Sequence, residues 1–409
     1  MREVHRPVPR GRTFHGGRLV RHVDILVVGG GPAGCVAAWE AAAAAKALDV
    51  LLIERDRAIG APVRCAEGVG SKGLREFLDP DGASWVSRKI SKVIFWAPDD
   101  TEVNVGGGDV GYVLDRTRFE PALADEARRA GAEVEIRTEA LSMARENGGW
   151  RVRLAGPRGE SDVLAKVVIG ADGVEGMVGR WAGLDTRVPS RDMESCAQYV
   201  VSNIDFDPDA IYLHFAEQWA PGGYAWIFPR GEGVANVGLG MVALKSDGRN
   251  ARQYLDSYLE RYFPNGNVTG LTVGGVIVAT TVKRTVTDGV ILAGDAAHMI
   301  NPLSGGGIVN AMKAGRMAAR HAAAAVCAGD TAAERLQRYH DEWMALLGDD
   351  HLKYYRIKDA LSRLDDGFYN GLARTVNGIP LEKRTLGRIF AHALINHPML
   401  LPVAARFFV

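Results

Sequence analysis

The sequence predicts an α/β chain with a second, largely β region: a Rossmann-like dinucleotide-binding domain, an inserted, mainly antiparallel substrate domain, and a C-terminal helical segment. Three observations predict it. Residues 24–54 read as strand, glycine turn, helix and strand. Residues 192–282 switch to short strands with turns and little helical periodicity. Residues 289–326 then return to a buried strand, a glycine-rich turn and a long helix.

At 409 residues the chain suits two closely packed domains and a tail. Its 49 basic and 49 acidic residues balance, so nothing global points to nucleic acid. Cys35, Cys65, Cys196 and Cys327 lie far apart and have no metal-ligand spacing. A disulfide scaffold is not expected in so large a core, and a reducing, intracellular setting is.

Residues 1–22 carry Arg2, Arg6, Arg10, Arg12, Arg18 and Arg21 against Glu3. With no apolar core this arm is not a secretory signal. It reads as a disordered tail, with a touch on anionic lipid as the alternative. Ile25–Val28 is apolar and rich in β-branched residues, as a strand buried on both faces should be. Gly29, Gly31 and Gly34 follow in G-x-G-x-x-G spacing. They allow a tight turn, close approach to a pyrophosphate, and packing of the next helix on the strand. Residues 35–46 form that helix, its N-terminus aimed at the phosphates. A second apolar strand ends in Glu54, 20 residues after Gly34, where an acid takes ribose hydroxyls. Gly106 to Gly111 also fits the glycine spacing but lacks the helix and the acid, so it reads as a hairpin or loop.

Residues 55–70 form a glycine-rich loop with Cys65 beside Arg64. Such a thiol is either an inert small hydrophobe or a functional group near the ligand. Residues 89–115 alternate like strands, and a helix opens at Asp115-Arg116 and runs to Arg129. Strands follow at 132–136, 150–154 and 165–169, the last leading into Gly170-Ala171-Asp172-Gly173. Asp172 sits where doubly wound sheets bind ligands, or else makes an Asx turn. Tyr224, Trp226 and Phe228 are two apart, so a strand would put all three rings on one side. That side faces either the core or a long apolar ligand.

A buried strand ends in Gly294-Asp295, followed by His298, Gly305-Gly306-Gly307-Ile308 and a helix over 309–326. The uncapped helix start suits the anionic ring of a reduced flavin. His298 reads as a base or as a loop histidine. Leu336, Tyr339, Trp343 and Leu346 suggest one amphipathic helix, and Ile357, Leu361, Leu364 and Phe368 another. Residues 389–405 carry no formal charge but are interrupted by Pro398 and Pro402. With Lys383, Arg384, Arg388 and Arg406 flanking it, the stretch suits a membrane surface or the protein's own body, not a spanning helix. The expected partition is a basic arm at 1–22, a cofactor domain at 23–88, 110–186 and 283–345, a substrate domain at 89–109 and 187–282, and a helical region at 346–409.

In this order, the glycine motif with Glu54, Arg116 opening a helix, Gly170-x-Asp172-Gly173 and Gly294-Asp295 resemble the superfamily of aromatic hydroxylases and related FAD enzymes. Within it, Pro62-Val-Arg-Cys65-Ala-Glu-Gly68, Tyr224-x-Trp226-x-Phe228-Pro229 and Asn301-Pro-Leu-Ser-Gly-Gly-Gly-Ile308-x-Asn310-Ala resemble the geranylgeranyl reductase family, closest to its archaeal ether-lipid branch. The resemblance spans roughly residues 23–345. It implies FAD contacts at Ala33, Glu54, Cys65, Ala66, Gly68, Arg116, Ala140, Asp295, Gly307 and Ile308. Gly29, Gly31, Gly34, Arg55, Asp172 and Gly306 complete the expected cofactor set. Two positions depart from the pattern: His298 gives a spelling commoner in hydroxylases, and Gly176 stands where relatives often carry serine.

The implied reaction is saturation of isolated alkenes in geranylgeranyl lipid chains, with Cys65 donating or relaying a proton and Tyr224, Trp226 and Phe228 lining a dry channel. Ferredoxin, a reduced quinone or flavin carrier, or NAD(P)H would supply electrons, and the protein would sit in the cytoplasm, peripheral on the inner face of the membrane. The competing readings are a flavin monooxygenase, a bacteriochlorophyll-type geranylgeranyl reductase, and a flavin-bearing lipid-binding or electron-carrier protein without turnover.

Overall fold

A computed structural model describes residues 12–15, 18–381 and 384. The stretch 389–405 and its neighbours Lys383, Arg388 and Arg406 lie outside the described residues.

In chain order, β1 (Arg12–His15) and β2 (Arg18–Val28) pair antiparallel and lead into α1 (Pro32–Ala44) and β3 (Val50–Ile53). Pro32 suits the first helical turn, where its missing N–H has no partner to lose, and the alanines behind it favour helix. A short β4 (Gly68–Gly70) precedes the long pair β5 (Val86–Trp96) and β6 (Glu102–Leu114). Next is α2 (Arg116–Ala130), where the Asp115 side chain accepts from Thr117 N–H at the start and left-handed Gly131 ends the helix. Strands β7 (Glu133–Glu135), β8 (Glu139–Glu146), β9 (Gly149–Gly156) and β10 (Gly159–Gly170) follow. After them come β11 (Met193–Ser202), β12 (Ala210–His214), β13 (Tyr224–Gly231), β14 (Val234–Val242), α3 (Ala251–Tyr262) and β15 (Asn267–Ile277). The last elements among the described residues are β16 (Val286–Thr287), β17 (Val290–Leu292), α4 (Ile308–Cys327), α5 (Ala333–Trp343), α6 (Asp349–Leu361) and α7 (Asp366–Asn377).

Two sheets result. The first runs β16-β17-β10-β2-β3-β7, with β8 and β9 added beside β10. Its centre is parallel and fully buried: Ile25, Leu26, Val27, Leu52 and Ile169 expose nothing. Helices α1 and α4 pack together on it so closely that a Cβ on Gly315 would lie 2.2 Å from the Ala33 carbonyl oxygen. The second sheet runs β15-β11-β14-β13-β12-β5-β6-β4. One face buries Ala197, Tyr199, Val237 and Leu239 with Tyr254, Leu255 and Tyr258 of α3. The other face is left for the site.

Several expectations change. The chain is already in the first sheet before Val23, because β1 pairs with β2 and Asp162–Ala165 of β10 extends the ladder alongside Val20–Val23, so residues 12–15 and 18–22 are strand and not tail. Gly106–Gly111 lies inside β6, where pairing to β4 and β5 overrides the turn signal. Helix α3 interrupts the region read as strands; its Asn250–Gln253 capping box was the available sequence signal. Leu346 is exposed, since a π-helical turn at Met344–Gly348 rotates it away from Leu336, Tyr339 and Trp343. The second amphipathic helix is two, because Asp365 caps a new start before Phe368. Among the described residues no helix is long and apolar enough to cross a membrane.

Candidate active site

A cavity of about 460 Å³ lies between the two sheets. The cofactor-side wall follows from the first sheet. Gly29 leaves β2 at φ 104°, and a Cβ on Gly34 would lie 1.8 Å from the Gly29 carbonyl oxygen, so the turn and α1 touch backbone to backbone. Both α1 and α4 begin at glycines, Gly31 and Gly307, without a side-chain cap, and Pro32, Gly307 and Ile308 at those starts line the cavity. Two sets of unpaired N–H groups and two positive dipole ends therefore open onto one space.

Arg116 and Asp295 line it too. Burial disfavours the Arg116 charge, but Glu120 and then Cys65 override this and raise its pKa; Arg116 Nε donates to Glu120 Oε1 at 2.6 Å. Burial raises the Asp295 carboxyl against the pull of Arg116. A cationic group, an acid and two uncapped helix starts are the donor and acceptor set that a ribityl-diphosphate and flavin ring require, so the residues present fit FAD.

The substrate-side wall is a product of strand register. Opposite residues of antiparallel strands share a face. Cys196 faces Gly240 and Gly240 faces Tyr224, while Gln198 and Trp226 flank Gly238 in the same way. The inner face thus has a row Glu194, Cys196, Gln198 on β11, a low glycine strip on β14, and a ridge Tyr224, Trp226, Phe228 on β13. All three aromatics line the cavity, and Tyr224 and Trp226 meet edge-on with centroids 6.0 Å apart. The register turns the three rings to the cavity and away from the face that packs on α3. Tyr224 Oη donates to the Ser304 carbonyl at 2.6 Å and so ties the ridge to the glycine turn before α4.

Cys65 enters from the loop before β4 and is held by groups the sequence analysis did not single out. Gln198 Nε2 donates to the Cys65 carbonyl at 3.0 Å, and Trp226 Nε1 donates to Gln198 Oε1 at 2.9 Å. Glu67, buried at φ 73°, accepts from Arg116 N–H at 2.9 Å and from Asn236 Nδ2 at 2.8 Å. Asn236 also donates to the Ala66 carbonyl at 3.2 Å. Gly68 leaves room for Phe228: a Cβ there would lie 2.4 Å from the ring. The Cys65 Sγ accepts from Glu67 N–H at 3.2 Å.

Of the expected cofactor residues, Cys65, Ala66, Gly68, Arg116, Asp295, Gly306, Gly307 and Ile308 line the cavity. Gly29, Gly31, Ala33 and Gly34 form the turn leading out of it. Glu54 sits against that turn, accepting from Gly30 N–H at 2.6 Å and Asp56 N–H at 2.8 Å. Arg55 donates to Glu175 at 2.6 Å, Ala140 packs on the hydrophobic core, and none of Arg55, Ala140 and Asp172 lines the cavity. Asp172 accepts from Met177 and Val178 N–H at 2.6 and 2.9 Å, so it caps a helical turn. A Cβ on Gly176 would lie 2.7 Å from Asp172 Oδ1, which binds the departure at 176 to the same turn. His298 is buried at φ 58° outside the cavity, its pKa lowered by burial, and backbone bonds to Thr186 and Thr280 occupy it. It is a loop histidine.

Comparison with known proteins agrees with this layout. Residues 192–278 match the geranylgeranyl reductase catalytic domain, and residues 27–78 match an NAD(P)-binding Rossmann-like domain. The digeranylgeranylglycerophospholipid reductase of Methanocella arvoryzae is 41% identical over 92% of this chain and 97% of its own. A geranylgeranyl bacteriochlorophyll reductase-like protein of Thermoplasma acidophilum superposes with TM-score 0.88 at 33% identity, over 95% of this chain and 100% of that one. The p-nitrophenol 4-monooxygenase of Pseudomonas putida, at TM-score 0.65 and 18% identity over 93% of this chain and 98% of its own, shares the fold. Fold and site define a two-domain flavoprotein of the hydroxylase-like class. Within that class, the chain belongs to the geranylgeranyl reductase family, with the digeranylgeranylglycerophospholipid reductases.

Proposed function

We propose that the chain is an FAD-dependent oxidoreductase that saturates isolated C=C bonds in the geranylgeranyl chains of membrane ether lipids. The observation that carries this reading is the facing of the two walls: an apolar, aromatic-ridged groove opens directly onto the two uncapped helix starts and Cys65. The reduced flavin would supply hydride.

The chain's own residues do the rest. An isolated alkene has no carbonyl to polarise it, so hydride and proton must both be positioned. Cys65, fixed by Glu67 and Gln198 at the seam between the walls, is the group assigned to deliver a proton. Arg116 and Asp295 would hold the cofactor's ribityl-diphosphate, and Gly307 and Ile308 its ring. Tyr224, Trp226 and Phe228 hold the chain and exclude water, and their faces favour positive charge developing at a tertiary carbon. Each methylene they bury contributes about 0.8 kcal/mol, so a long prenyl chain needs few polar contacts.

The electron donor is assigned to an external carrier of the ferredoxin, reduced-quinone or NAD(P)H kind, and the protein to the inner face of the cell membrane. Anaerobic incubation of reduced protein with geranylgeranyl ether lipid tests the reading. Mass spectrometry should find gains in steps of two hydrogens; a gain of one oxygen under air, with no saturation, would transfer the protein to the monooxygenases.

A further inference from the structure

Glu194 has no part in the function just argued, yet its carboxyl opens into the same cavity. Its cross-strand neighbours are Val242 on β14 and Val276 on β15. Among the described residues no hydrogen bond or ion pair engages it. Lys358 of α6, the cation whose charge acts on it, is itself held by Asp192 Oδ1 at 3.1 Å and the Val278 carbonyl at 2.6 Å. Cys196 on its own strand and Tyr224 on β13, whose hydroxyl is occupied by Ser304, both feel its charge and that of Cys65.

The spacing is orderly. The point where a Gly240 Cβ would stand is 3.0 Å from Glu194 Oε2 and 3.1 Å from Cys196 Sγ. Carboxyl and thiol therefore share one patch, within the reach of a bridging water. Alternate strand residues are about 7 Å apart, so Gln198, which holds the Cys65 carbonyl, is the next step along the same row.

We propose that Glu194 is the proton reservoir of the cavity, recharging the proton-donating site at Cys65 by way of the Cys196 thiol. The inference rests on the alkene-reductase reading. In the balanced step the alkene takes hydride from the reduced flavin on one carbon and a proton from the cavity on the other. The donor that remains deprotonated takes its proton from Glu194, and solvent restores the carboxyl. Burial pushes the Glu194 carboxyl up to about 7, with Lys358 opposing, so it can both hold and release a proton near neutrality. Burial, then Glu194, then Cys65 push the Cys196 thiol up, which keeps it protonated and able to pass a proton on. Glu194 is a positioning residue here, since it acts through others.

Infrared titration of the full-length protein, wild type against Glu194→Gln, reads the carboxyl without any turnover. A protonated-carboxyl band that is absent from the variant and disappears with a midpoint near 7 is expected. A carboxyl that is ionised throughout pH 5–8 overturns the proposal. In single turnover of the reduced holoenzyme, Glu194→Gln should slow saturation about 100-fold and remove the pH break near 7, and Glu194→Asp should restore the break. Gly240→Ala, which places a methyl between carboxyl and thiol, should reproduce the loss while leaving the infrared band in place. An unchanged pH profile in both variants refutes the relay. If the wild type saturates nothing, the reductase reading fails, whereas the infrared result still decides whether a protonated acid faces the cavity.

Discussion

The two sheets build their halves of the cavity by opposite means. In the parallel sheet the functional atoms are backbone N–H groups at helix starts, fixed by short segments such as Gly29 to Gly34 and Asn301 to Ile308. In the antiparallel sheet they are side chains, brought together by register between strands as far apart as β11 and β13 and by a loop 133 residues upstream of Gln198. Backbone sites are specified locally because a turn and a helix terminus carry their own geometry. Side-chain sites require the whole ladder, since a slip of one residue turns Glu194, Cys196 and Gln198 to the opposite face. The first wall should therefore fail all at once, and the second by degrees.

Substitutions can break that contrast. Gly34→Ala should do most damage, because its Cβ would stand 1.8 Å from the Gly29 carbonyl oxygen and backbone cannot yield as a side chain can. We expect a loss of about 3 kcal/mol or more, read by thermal denaturation, together with loss of the yellow flavin absorbance. Cys65→Ala should keep fold and flavin but reduce lipid saturation about 100-fold, read in single turnover. Undiminished saturation would remove Cys65 from the mechanism.

Gly68→Ala addresses the seam. Its methyl would meet the Phe228 ring, which lines the groove, at 2.4 Å and force it to shift. A stability loss of about 1–3 kcal/mol and a rise in KM for lipid, with flavin retained, are expected from denaturation and steady-state assays. Trp226→Phe should be mildest. It keeps the ridge but removes the donor to Gln198, which costs about 1 kcal/mol of stability. If Trp226→Phe instead released the flavin, the two walls would not be separable.

The fold was legible where chemistry repeats locally. The glycine turn, Asp115 at the α2 start and the glycines before α4 each announce themselves within a short segment, and Glu54 by its distance of 20 residues from Gly34. Helix α3 carries a capping box at Asn250, but the strands on either side of it dominate the local pattern. The six-residue spacing from Gly106 to Gly111 misled, since neighbouring strands outweighed the local turn preference. At the site, Cys65 and the three aromatics could be found from the chain, but Glu67, Gln198 and Asn236 could not. Nothing in their own surroundings says that they meet across more than 130 residues.

The amino-acid sequence by itself determined that a dinucleotide site exists and that three rings share one side of a strand, because both follow from periodicity and from the conformations glycine permits. Which way that side faces, and that a thiol and a carboxyl without a partner among the described residues open beside it, was decided only by tertiary structure. Cross-strand register and the docking of one sheet on the other set those positions, and neither is encoded within any single segment.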